Sequence, residues 1–191
     1  MRPVERGNRP EDENGNKIEY AHYGNARSEL INRLGEYCSY CEMPIKNAPA
    51  VEHIRPKTFV PDMENDWGNF LLACNYCNSL KAQRCAVPED YFWPDKNNTF
   101  MALQYSEGGL VNAADDLNVA QRIKAQATIK LTGLNNTPAN KASDKRLESR
   151  RLSWKRAQLA KLRLLNNNYE AFREQIVDTA EAIGFWSVWM T

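Results

Sequence analysis

Cys38-Ser-Tyr-Cys41 opens the stretch that decides how this chain folds. Val51-Glu52-His53-Ile54-Arg55-Pro56-Lys57 forms its middle, and Trp67-Gly68-Asn69-Phe70-Leu71-Leu72-Ala73-Cys74-Asn75-Tyr76-Cys77-Asn78-Ser79-Leu80-Lys81 closes it. Two Cys-x-x-Cys pairs at this separation suit one tetrahedral metal, because zinc takes thiolates and is four-coordinate when structural. Cys38, Cys41, Cys74 and Cys77 supply all four ligands, which leaves no open position for substrate. The zinc is therefore expected to staple the fold and not to catalyse. A redox dithiol is the competing reading, but no βαβ pattern accompanies either pair.

The rest of the chain sets bounds on this core. It has 191 residues, 42% of them hydrophobic, which allows one compact domain or a domain with a helical appendage. Formal net charge is +1, so any basic surface must be local. No apolar run approaches the roughly 20 residues needed to span a bilayer. Residues 1–10 lack the apolar centre of a signal peptide, and a cytosolic location is expected. In a reducing compartment paired cysteines favour metal over disulfides. Cys85, the fifth cysteine, reads as a packed or surface thiol.

Outward from the staple, residues 1–20 read as an extended arm and 20–35 as a helix stopped by Gly35. Residues 38–61 read as knuckle, strand, turn and strand, since four prolines forbid a long helix. The apolar segment before Cys74 leads into a second knuckle that opens a short helix. Residues 86–99 read as a covering loop, and 100–112 as a hairpin. Helices are expected at about 117–132, 139–166 and 168–183, with Gly133 and Gly184 ending the first and last. A composition shift near residue 115 divides the chain into 1–115, with the zinc-knuckle core at 36–85, and a helical region 116–191.

Several side chains between and after the knuckles can carry chemistry. A neutral imidazole at His53 can take a proton from water. A hard cation such as Mg²⁺ or Mn²⁺ takes oxygen ligands and stabilises charge developing on phosphate. Glu52 and the Asn78 amide are the available donors, and Lys81, one helical turn past Asn78, would face the same phosphate. Alternation along a strand turns Glu52 and His53 to opposite faces, so a shared site needs a bend there. Taken singly, each residue has a plainer role: His53 as one half of an ion pair with Glu52, Asn69 in a turn, Asn78 as a helix cap.

In this order and inside a four-cysteine frame, the set resembles the HNH endonucleases. The resemblance covers residues 38–81. It implies an α+β fold with a ββα-metal core, His53 as general base, Glu52 and Asn78 as ligands of the catalytic cation, and Asn69 as the residue bracing the loop. Two departures stand out: the acid is Glu where Asp is commoner, and the third motif residue is Asn where His is commoner. Flanking residues, among them Glu36-Tyr37-Cys38 and Asp66-Trp67-Gly68-Asn69, are similar to the HNH proteins of retron and Septu anti-phage systems. That likeness implies an ABC-like ATPase partner; the leading reading is a nuclease that cuts DNA, with RNA as the alternative substrate.

Residues 141–163 carry nine Lys or Arg against two acids. A helix with that charge can bind phosphates, and Arg146, Arg150 and Lys155, with Arg55 and Lys57 near the motif, are candidate nucleic-acid contacts. Leu152, Leu159 and Leu162 would form its buried stripe. A second functional reading needs only the cysteines and this helix: a non-catalytic zinc-stapled subunit that binds nucleic acid or scaffolds a partner. The apolar C-terminus, residues 185–190, is expected to pack on the helices.

Overall fold

Phe70, Leu71, Leu72 and Ala73 are consecutive and all fully buried, so they can sit only in a strand covered on both faces. The computed structural model describes residues 1–47, 49–82, 84, 87–137 and 143–191. In it these four residues form strand β2 (Phe70–Ala73), which pairs antiparallel with β1 (Ala50–His53) in the register Ala50↔Ala73 to His53↔Phe70. Helix α2 (Asn75–Lys81) follows at once, and its N-cap is Cys74 itself, whose sulfur accepts the Cys77 N–H. Two strands and a helix thus enclose the motif. Only one strand lies between the knuckle and Pro61, where two were expected. The segment after His53, broken by Pro56 and Pro61, turns through a 3₁₀ turn at Pro61–Met63 and leaves pairing to the apolar run beyond it.

Helix α1 (Arg27–Leu34) buries Leu30 and Leu34 against β2 and ends at Gly35 in a positive-φ conformation. The N-terminal arm is extended but not loose. Arg6 donates to the carbonyls of Phe70 at 2.6 Å and Gly68 at 2.9 Å and pairs with Asp95 at 3.0 Å. The Met1 amino group is buried against Glu42 at 3.1 Å. The covering loop is present: Trp93 is buried and donates its indole N–H to the Pro88 carbonyl. A short helix α3 (Thr99–Ala102) then leads into the hairpin of β3 (Leu103–Tyr105) and β4 (Val111–Ala113).

The helical region comprises α4 (Val119–Thr132), α5 (Arg146–Leu164), α6 (Glu170–Ile183) and a short α7 (Trp186–Trp189). A capping box between Asn118 and Gln121 starts α4, and Gly133 at φ 59° ends it. The expected start of the basic helix near 139, Lys141 and Cys85 lie outside the described residues. The buried leucine stripe of α5 is not found. Leu152, Leu159 and Leu162 are exposed, and the buried residues are Arg146, Arg150 and Ser153 at its N-terminal end. α5 is anchored by polar groups at one end, while α6 buries none of its residues. The C-terminal segment packs as expected, with Phe185 and Val188 buried. Among the described residues no helix is long and apolar enough to cross a membrane.

The hairpin meets α5 at Gly109, which has φ 76° and would place a Cβ 2.7 Å from the Arg151 backbone nitrogen. Gly109→Ala combines left-handed strain with displacement of α5. A loss of about 2 kcal/mol is expected in urea unfolding, against no loss for Gly108→Ala beyond its own strain, since nothing lies within 4 Å there.

Candidate active site and metal centre

The four sulfurs of Cys38, Cys41, Cys74 and Cys77 lie within 4.8 Å of one another, all buried, with Cys41 and Cys74 at 3.7 Å. A tetrahedron with zinc–sulfur bonds of about 2.3 Å has edges of about 3.8 Å, so the spacing fits that ion. The acid–base chemistry fits as well. Hydrogen bonds from Cys38, then Cys41 and Cys77, hold the Cys74 thiol far below its ordinary value, while burial pushes Cys41 and Cys77 well above theirs. All four sulfurs in this dry pocket can be thiolates only with a cation among them; bound zinc would supply it and leave a centre with net charge of minus two.

Arg146 reaches this centre, and Arg150 lies one helical turn beyond it. Both were expected to contact nucleic acid, and both are buried instead. Arg146 donates to the Cys77 sulfur at 2.9 Å and to the carbonyls of Thr132 and Gly133, and its fork closes on Asp144 at 2.7 and 2.9 Å. Arg150 donates to the carbonyls of Gly109 and Leu134, and no carboxylate pairs with it among the described residues. Burial lowers the Arg150 pKa from its ordinary value. The two residues lie four apart on one face of α5, as the sequence indicates, but that face turns inward, Arg146 to the Cys77 sulfur and Asp144, and Arg150 to two backbone carbonyls.

His53 stands at the end of β1, half-buried, with its ring edge-on to Phe70 at 5.4 Å and to Tyr23 at 4.7 Å. Its Nε2 lies 2.8 Å from the Glu64 carbonyl. A carbonyl only accepts, so Nε2 carries the proton and Nδ1 is left as the base in the neutral ring. Burial lowers its pKa below the ordinary value, with Lys57 and Lys81 adding to that effect and the Glu64 carbonyl opposing it. Asn69 holds the loop that supplies this carbonyl. Its Oδ1 accepts the Arg55 N–H at 2.7 Å, and its Nδ2 donates to the carbonyls of Arg55 and Met63 at 3.0 and 3.1 Å.

Glu52 points the other way, as strand alternation requires. Its carboxylate is buried, pairs with Lys81 at 2.6 Å and accepts from the Tyr40 hydroxyl. Lys81 also donates to the His53 carbonyl at 2.6 Å and sits 5.6 Å from the Trp93 ring centroid. Lys81 is therefore turned into the core and does not share an outward face with Asn78. Of the two expected ligands for a catalytic cation, Glu52 is already bonded. Asn78 is half-buried, with no side-chain hydrogen bond among the described residues. The described residues do not assemble a second metal pocket from His, Cys, Asp and Glu.

The remaining candidates are at the surface: Arg55 pairs with Glu89 at 3.1 Å, Lys57 with Glu64 at 2.6 Å, and Lys155 is exposed on α5. Sequence reasoning did not single out Tyr40, Tyr23 or Arg6. Tyr40 was marked only by its place inside the first knuckle. The pairing of Arg6 with carbonyls 62 and 64 residues away has no local signal.

A pair of antiparallel strands and a helix thus hold a histidine, an asparagine-braced loop and a buried four-cysteine cluster in one compact unit. Residues 38–84 match the family model described as HNH endonuclease. The chain thus carries an HNH endonuclease domain in that span. No curated protein matches it.

Two outcomes follow from this geometry. Arg146→Met should loosen zinc about 10- to 100-fold, read as faster release to a chromogenic chelator and a shifted thiolate-to-metal band in the Co²⁺-substituted protein. Because His53 must be neutral to act and burial lowers its pKa, any cleavage activity should persist below the ordinary histidine value of about 6.5. The acid limb of the pH–rate profile should fall under that pH.

Proposed function

We propose that the protein is a metal-dependent HNH endonuclease that hydrolyses phosphodiester bonds in DNA. The observation that carries the reading is His53, fixed by the Glu64 carbonyl on Nε2 and open as a base at Nδ1. In this reading His53 takes the proton from the attacking water. Asn69 keeps the carbonyl in place, and the internal Glu52–Lys81 pair locks β1 to α2 beneath the histidine. A bound Mg²⁺ or Mn²⁺ would supply charge stabilisation on the phosphate, with Asn78 its protein ligand. Glu52 would join only if its pair with Lys81 opened.

The likeness of the flanking residues to retron and Septu HNH proteins extends the proposal to an effector in anti-phage defence, working with an ABC-like ATPase subunit. The non-catalytic alternative needs a basic binding helix. The burial of Arg146 and Arg150 withdraws two cations of that helix, while Arg151, Lys155, Arg156, Lys161 and Arg163 stay exposed on α5.

Plasmid nicking with Mg²⁺ or Mn²⁺ tests the reading, using protein purified with and without any co-purifying ATPase. His53→Ala should lower the rate by at least about a hundredfold while the circular dichroism and zinc content stay unchanged. Equal rates in the two proteins would remove His53 as the base.

A further inference from the structure

The chain has two histidines, and the fold brings both to one place with a single ring between them. His22 is exposed, and its imidazole stacks on Tyr23 at 4.3 Å with an interplanar angle of 30°. Tyr23 in turn stands edge-on to His53, the proposed base. The row continues into buried Phe70, so a line of rings runs from the core through the catalytic histidine to solvent.

The outermost ring is held in place. The His22 Nδ1 accepts the Gly24 N–H at 3.0 Å, which fixes the tautomer and leaves the Nε2–H for an external acceptor. Gly24 is small enough for this: a Cβ there would come 2.9 Å from that same nitrogen. A serine or aspartate would cap this turn equally well, but neither offers a flat face. A cation stands close by. The Lys57 ammonium lies 5.0 Å from the Tyr23 ring centroid and is paired with Glu64, which is available for exchange with a phosphate.

We propose that His22, backed by Tyr23 and flanked by Lys57, is a stacking subsite for an unpaired nucleobase next to the scissile phosphate. This rests on the nuclease reading and narrows its substrate: a base already stacked in a duplex cannot lie on the imidazole, so the preferred strand is single or locally opened. Aromatic platforms beside basic side chains are the general means of holding single-stranded nucleic acid. Here the platform ends on the base that would activate the water attacking the adjoining bond.

The test uses the His53→Ala protein without added divalent ion, so that binding is separated from cleavage. The probe is a single-stranded DNA oligonucleotide carrying 2-aminopurine, with the blunt duplex of the same sequence as comparison. Binding should quench the fluorophore. His22→Asn, which keeps a capping acceptor and removes the ring, should abolish the quench and weaken single-strand binding about 10- to 100-fold, leaving duplex binding unchanged. His22→Phe should restore the quench. Unchanged single-strand affinity in His22→Asn, an equal loss on the duplex, or no recovery with phenylalanine would overturn the subsite. A wild type that binds and quenches but never cleaves, with its partner present, would instead overturn the nuclease reading and leave the subsite standing.

Discussion

Everything in this fold hangs from four cysteine sulfurs drawn within 4.8 Å of one another. Each sits on a different piece of backbone or at a different turn of it. Two close the first knuckle, one caps α2, and one lies in its first turn. The metal they fit would fix β1 and β2 against the helix before any large apolar area is buried. It would also create a charge that the protein must answer. Arg146 answers it directly through the Cys77 sulfur, and Arg150 stands close behind. The helical region is thereby joined to the nuclease core by an electrostatic link to the metal centre as well as by packing.

The same logic separates charges that hold the structure from charges left for chemistry. Glu52 with Lys81, Asp144 with Arg146, and Glu42 with the amino terminus are buried pairs. Glu42 shows how closely these are tuned. Burial alone would raise its pKa, but the amino terminus and Ser187 outweigh that and hold it low. Such pairs are costly to break and poor substrates for reaction. Beside the motif, the second nitrogen of His53 and the amide of Asn78 have no hydrogen-bond partner among the described residues.

Much of this was legible in the sequence, and the legible parts were local. Spacing of the cysteines marked the metal centre, glycines marked the ends of α1, α4 and α6, and Asn69 in the motif marked the loop brace. The structure departs from the sequence reading where a long-range partner decided the outcome. Arg146 and Arg150 read as a phosphate-binding face because nothing local shows that this face turns inward, with Arg146 on the sulfur of a cysteine 69 residues away in sequence. Leu152 and Leu159 read as buried because helical periodicity gives a stripe but not the presence of a neighbour. The second strand was placed too early because prolines forbid helix but do not choose between strand and turn.

The loop between His53 and Asn69 is tied at its base, where Arg55 and Met63 meet the asparagine and the Glu64 carbonyl meets the histidine, and by the pairs Arg55–Glu89 and Lys57–Glu64. Between those ties, Thr58 and Phe59 are exposed. A segment fastened at both ends and open in the middle can exchange its sequence without moving the atoms that react. Its outer surface can therefore vary while the turn that Asn69 holds stays in place.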